Sequence, residues 1–178
     1  YKNTIENLDL DFDNCSPKAC PSISFLKLEI DESPKKYASY LDDYFNILDN
    51  KKNNFFTDIS NYLSFETGQP LHCYDYEKIH GKITLKETSK DENFVTLMEQ
   101  DINLKGKNLT FVSNDQVINL AGIVGSKSTC CDFSTTTVLV ECAFFKPEYI
   151  IGKSLKYNIK SDAAHKFERG VDPSCHDY

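Results

Sequence analysis

Residues 135–145 read TTTVLVECAFF, a run rich in β-branched and aromatic residues and apolar on both of its alternating faces. Such a run is a strand, and a strand without a polar face belongs in a buried layer. It closes a block of similar short runs: KITLKET at 82–88, NFVTLME at 93–99, NLTFVS at 108–113 and QVINLAGIV at 116–124. Lys-Asp, Gly-Lys and Asn-Asp pairs punctuate them as turns. Upstream, SISFLKLEI at 22–30 alternates as a strand through Ile23, Phe25, Leu26 and Leu28. Ser33-Pro34 then reads as a helix start, with Tyr37, Leu41, Tyr44, Phe45 and Leu48 at helical spacing. FFTDISNYLSFETG at 55–68 reads as a second helix that stops at Gly68, and QPLHCYDYEKIHG at 69–81 as a connector. Residues 147–155 and 161–169 read as two closing helices, the second stopped by Gly170 and Asp172-Pro173. Helices, then strands, then helices is α+β ordering, with a mixed or antiparallel, sandwich-like sheet core and flanking helices. Residues 1–21 lack periodicity and read as a leading segment or linker, leaving 22–178 as one domain.

Composition excludes several classes. With 178 residues, 40% hydrophobic, 26% charged, Gly 7 and Pro 6, the chain is neither fibrous nor largely disordered. No stretch approaches the roughly 20 apolar residues of a membrane helix. Lys and Arg total 20 against 27 Asp and Glu, a net charge of −7, and the one arginine is Arg169. That balance disfavours a free-standing nucleic-acid binder, whose basic face supplies affinity by counterion release. The chain opens at Tyr1 with YKNTIENLDLDFDN, without initiator Met or signal peptide, and reads as a piece of a longer cytoplasmic protein. Seven cysteines form no CxxC pair and read as free thiols.

Four stretches carry residues awkward for a plain scaffold. In GQPLHCYD, 68–75, His72 is presented from a loop next to the stiff Pro70, where it meets a ligand or is simply a surface histidine. In INLAGIVGSKST, 118–129, Gly122 and Gly125 interrupt a strand, either as a plain β-turn or to let a ligand approach backbone N–H groups. Glu141, inside the apolar strand, points to solvent or is a buried carboxylate that must find donors. In SDAAHKFERGVDP, 161–173, Ser161 or Asp162 caps a helix, and Arg169 with Glu168 and Asp172 locks its end. Phosphate-loop, HExxH, GxSxG and GxGxxG patterns are absent.

Taken in order, NYLSFETGQPLHCYDYEKIHG, INLAGIVG, VLVECAFFKPEYI and SDAAHKFERGVDP resemble the editing domain in the beta subunit of bacterial phenylalanyl-tRNA synthetase, over roughly residues 19–173. Ala19-Cys20-Pro21 echoes the motif that opens that family's domain. The resemblance implies hydrolysis of the ester in tyrosyl-tRNA(Phe). It maps the pocket onto Ser60, Asn61, His72, Gly122, Gly125, Glu141, Ser161 and Ala163. Glu141 would accept the tyrosine hydroxyl, His72 and Asn61 would position water or the terminal ribose, and Ser161 and Ala163 would shape the pocket. The resemblance also implies the tRNA(Phe) 3′ end and the remaining synthetase domains and alpha subunit as partners. It implies no cofactor for this domain, ATP and magnesium serving only the full synthetase. The chain departs from the family pattern at Lys51, by ungapped counting the place of a common arginine, and at Ser22-Ile23, Ser126 and Ala164. A rival expectation is a non-catalytic module with the same fold, and a third is a free-standing amino-acid or nucleic-acid binder.

Overall fold

The computed structural model describes residues 8–174. Strands β1 (Phe12–Asn14) and β2 (Ser22–Glu29) precede helices α1 (Ser39–Ile47) and α2 (Phe55–Thr67). Then come β3 (Leu71–Asp75), β4 (Ile83–Thr88), β5 (Glu92–Val95), β6 (Asp101–Leu104), β7 (Asn108–Ser113), β8 (Gln116–Leu120), β9 (Val124–Gly125) and β10 (Thr137–Phe144). Helices α3 (Pro147–Ile150), α4 (Lys153–Tyr157) and α5 (Asp162–Arg169) close the chain. One sheet runs β1-β4-β7-β8-β9, a second β2-β10-β3, and β5-β6 form a ribbon. All pairings are antiparallel except β1 with β4, so the core is mixed, as the α+β reading expects.

The central strand β10 is the buried run TTTVLVECAFF. Val138, Leu139, Ala143 and Phe145 are all buried. The two sheets meet through an aromatic chain in which Tyr74, Phe111, Phe145 and Phe167 touch in sequence, with centroids 5.0–6.4 Å apart. Ala19 and Cys20 lie in the same core, and Phe12–Asn14 pairs with Ile83–Leu85.

Several local expectations are corrected. Helix α1 starts at Ser39 behind an extended Ala38, not at Ser33-Pro34, because tertiary contacts claim the residues between. The Ser33 hydroxyl donates to the Thr135 carbonyl at 3.4 Å, and the Tyr37 hydroxyl donates to buried Asp58 at 2.7 Å. The stretch 69–81, expected to be a connector, contains β3, so His72 stands on a strand; its five residues are too few between Pro70 and a charged turn to carry a period-two signal. The strand expected at 93–99 ends at Val95, where Thr96 and Gln100 close a turn. In place of one helix over 147–155, two short helices cover 147–157, split where Gly152 adopts φ +78°. Arg169 is not locked by Glu168 and Asp172: it reaches back to His165, while Glu168 accepts from the Gly152 amide and Asp172 from Ser174.

Candidate active site

Strand register builds the site. Glu141 stands opposite Phe25 of β2 on one side and His72 of β3 on the other. Residues directly opposed on paired strands share a face, so carboxylate and imidazole lie side by side on the inner face. Tyr74, two residues along β3, shares it: its ring meets His72 edge-on with centroids 4.3 Å apart. Its hydroxyl reaches diagonally and donates to Glu141 Oε2 at 2.6 Å. From β8, Asn119 Nδ2 donates to the Tyr74 oxygen at 2.9 Å. Tyr74, Asn119 and Glu141 are all buried.

A cleft of about 870 Å³ opens over this face. Helix α2 supplies Ser60 and Asn61 to its lining, β3 supplies His72, and β10 supplies Glu141. Gly122 and Gly125 line it from the loop around β9, and Ser161 and Ala163 from the start of α5. Lys51 does not join them; it is exposed in the α1–α2 connector, two residues before the cleft-lining Asn53.

The flanking helices are held by identifiable caps. Asn54 accepts from the Thr57 amide at the start of α2 and donates to the Cys131 carbonyl at 3.0 Å, and Gly68 ends the helix at φ +80°. Ser161 accepts from the Ala164 amide and donates to the Ile123 carbonyl at 2.6 Å, pinning α5 to the glycine loop. Lys166 of α5 donates to the Ser64 carbonyl and hydroxyl of α2 at 2.5 and 2.7 Å, clasping the two helices.

Both loop glycines are sterically required. A Cβ at Gly125 would lie 2.3 Å from His72 Cε1 and 2.7 Å from Nε2, so the imidazole rests on bare backbone. Gly122 adopts φ +70°, and a Cβ there would meet Ile150 at 2.9 Å. The Ile123 and Ser126 amides bond the Leu120 and Ile118 carbonyls, so those two donors are engaged within the fold.

Burial sets the charge states. It pushes the His72 imidazole down to about 4, so the ring is neutral at pH 7. His72 Nε2 is buried without a hydrogen-bond partner, which costs about 1–3 kcal/mol until a ligand or water reaches it. Burial pushes Glu141 up to about 7, against the opposing pull of the Tyr74 hydrogen bond. Cys73 also borders the cleft, but burial pushes its thiol up to about 12, so it supplies no thiolate at neutral pH.

Sequence reasoning missed Tyr74 and Asn119. The signal for Tyr74 was present, since His72 and Tyr74 are two apart in an alternating run, but it counts only once that run is a strand. Nothing local marks Asn119.

The profile described as B3/4 domain matches residues 35–178, most of the chain. The chain belongs to the B3/4 domain family. Phenylalanine–tRNA ligase beta subunits are among its relatives: that of Francisella tularensis is 38% identical over 120 residues, covering 67% of this chain and 15% of that protein. The Burkholderia pseudomallei (strain 1710b) beta subunit is 44% identical over 117 residues, covering 66% and 14%. This B3/4 domain thus spans about 15% of the length of the curated relatives it matches. An N-terminal fragment of the phenylalanyl-tRNA synthetase beta subunit from Pyrococcus horikoshii shares the fold, with TM-score 0.57 and 13% identity over 80% of this chain and 45% of that one. Among the described residues of the B3/4 domain, no helix is long and apolar enough to cross a membrane.

Proposed function

We propose that the chain is the editing domain of a phenylalanine–tRNA ligase beta subunit and hydrolyses the ester of mischarged tyrosyl-tRNA(Phe). The observation that carries this reading is the adjacency of buried Glu141 and neutral His72 on paired strands at the floor of one cleft. In this reading Glu141 accepts the hydroxyl of a tyrosyl group. Phenylalanine leaves that carboxylate short of a donor, and sites built to bond a hydroxyl reject the analogue lacking it by roughly 10⁴–10⁵.

The attacking group in this reading is water, since among the described residues no lining serine or cysteine is hydrogen-bonded to a histidine or carboxylate base. A ring titrating near 4 is a weak base at pH 7, so His72 acts by hydrogen bonding, placing water or the terminal ribose together with Asn61. Ser161 and Ala163 set the wall that the aminoacyl end slides past. Lys51 serves as a point charge for the incoming strand, outside the chemistry. The reaction needs no cofactor of its own and takes place in the cytoplasm, where the alpha subunit and the other beta-subunit domains hold the tRNA.

The test is deacylation of Tyr-tRNA(Phe) and Phe-tRNA(Phe) by the full synthetase carrying this chain, beside its Glu141→Ala variant. The intact enzyme is expected to clear the tyrosyl ester and spare the phenylalanyl one, and Glu141→Ala to lose at least about tenfold of that preference. An intact enzyme that leaves Tyr-tRNA(Phe) unhydrolysed in excess overturns the hydrolase and leaves a structural, tRNA-contacting module.

A further inference from the structure

The site contains its own phenol. Tyr74 is the same chemical group that the cleft is proposed to recognise, and it already holds one oxygen of the recognising carboxylate at 2.6 Å. Because the Tyr74 oxygen accepts from Asn119 Nδ2, its single hydrogen is directed to Glu141 Oε2. The three side chains form a one-way relay from β8 through β3 to β10. Its members are far apart in sequence, Tyr74 and Glu141 by 67 residues and Asn119 and Tyr74 by 45.

We propose that Tyr74, anchored by Asn119, is the positioning residue of the specificity carboxylate: it fixes Glu141 through Oε2 and leaves Oε1 to receive a ligand's phenol. This rests on the editing reading above. A carboxylate has about four acceptor positions, so an internal and an external phenol can be held together.

The surroundings explain why an internal donor is required. Glu141 is faced by Phe25 from β2, His72 and Tyr74 from β3 and Asn119 from β8, and its charge is felt by the buried thiols of Cys20 and Cys73. Of these only His72 could carry a positive charge, and burial keeps it neutral. The Tyr74 hydrogen bond is therefore the interaction here that favours the ionised carboxylate against its burial. The sign follows: selectivity for a hydroxyl through an anionic acceptor is present above the Glu141 pKa and fades as pH falls through it. Removing the Tyr74 hydroxyl moves that fade to higher pH.

The test titrates two non-hydrolysable probes, 3′-tyrosylamino- and 3′-phenylalanylamino-3′-deoxyadenosine, into the chain between pH 6 and 9. The unmodified chain is expected to prefer the tyrosyl probe, with the preference rising through about pH 7. Tyr74→Phe should lose about tenfold of that preference at pH 7 and regain it towards pH 9. Should Tyr74→Phe unfold, Asn119→Leu leaves the phenol in place but unanchored and must move the same pH profile in the same direction. A preference and midpoint unchanged in the folded variant sink the role of Tyr74 alone. No tyrosyl preference at any pH in the unmodified chain sinks the editing reading, and this inference with it.

Discussion

At the scale of single residues, the site is two oppositely displaced titrations on directly opposed strand positions. Glu141 is held near 7 in the folded chain against about 4.5 unfolded, so between those values the folded state binds more protons, and stability falls as pH rises. His72 is held near 4 against about 6.5, so there the unfolded state binds more protons, and stability falls as pH drops. The two slopes oppose each other across pH 4.5–6.5 and flatten the profile of the intact chain. Glu141→Gln removes one of them while keeping a carbonyl oxygen for the Tyr74 hydroxyl. Urea unfolding is expected to find this variant more stable than the parent by up to about 3 kcal/mol at pH 8 and equal to it near pH 4. Equal stability at pH 8 would mean that Glu141 ionises without penalty and is not desolvated as described.

At the scale of elements, caps and register do different work. Helix α2 brings Ser60 and Asn61 to the cleft, and its position depends on Asn54, which both caps the helix and ties it to the Cys131 carbonyl. Asn54→Ala should therefore cost about 1–2 kcal/mol in denaturant unfolding. Ser33→Ala should cost clearly less, because Ser33 caps no helix and makes one long bond to Thr135. Equal losses would return Ser33 to the capping role its Ser-Pro context suggests. The same contrast marks the limits of sequence signals: Asn54 and Gly68 act through their immediate neighbours, whereas α1 begins late because Tyr37 is drawn to Asp58. Strand β3 contributes the side chains nearest Glu141, yet as a five-residue element between Pro70 and a turn it reads as a connector until β10 pairs with it.

At the scale of the whole molecule, a net charge of −7 with Arg169 held against His165 leaves little to grip a polyanion. The isolated chain should bind a single-stranded RNA ending in CCA more weakly than roughly 10⁻⁴ M at physiological salt, with a shallow salt slope. Tight, steeply salt-dependent binding in a filter or fluorescence titration would show instead that this domain captures tRNA itself. Much of this molecule was legible in the residues: the α+β order, the buried strand around Glu141, the glycine stop of α2 and the Ser161 cap follow from periodicity, propensity and local hydrogen bonding, which act over a few positions. The stretches with His72, Gly125 and Glu141 were visible too, as residues out of place in a plain scaffold. What only the tertiary structure decided is how they meet. Register puts His72 opposite Glu141, close packing sets the imidazole on Gly125, and the Asn119–Tyr74 relay turns the carboxylate. Those relations join residues 45 to 69 positions apart, and desolvation, which sets both charge states, arises only when the two sheets close over them.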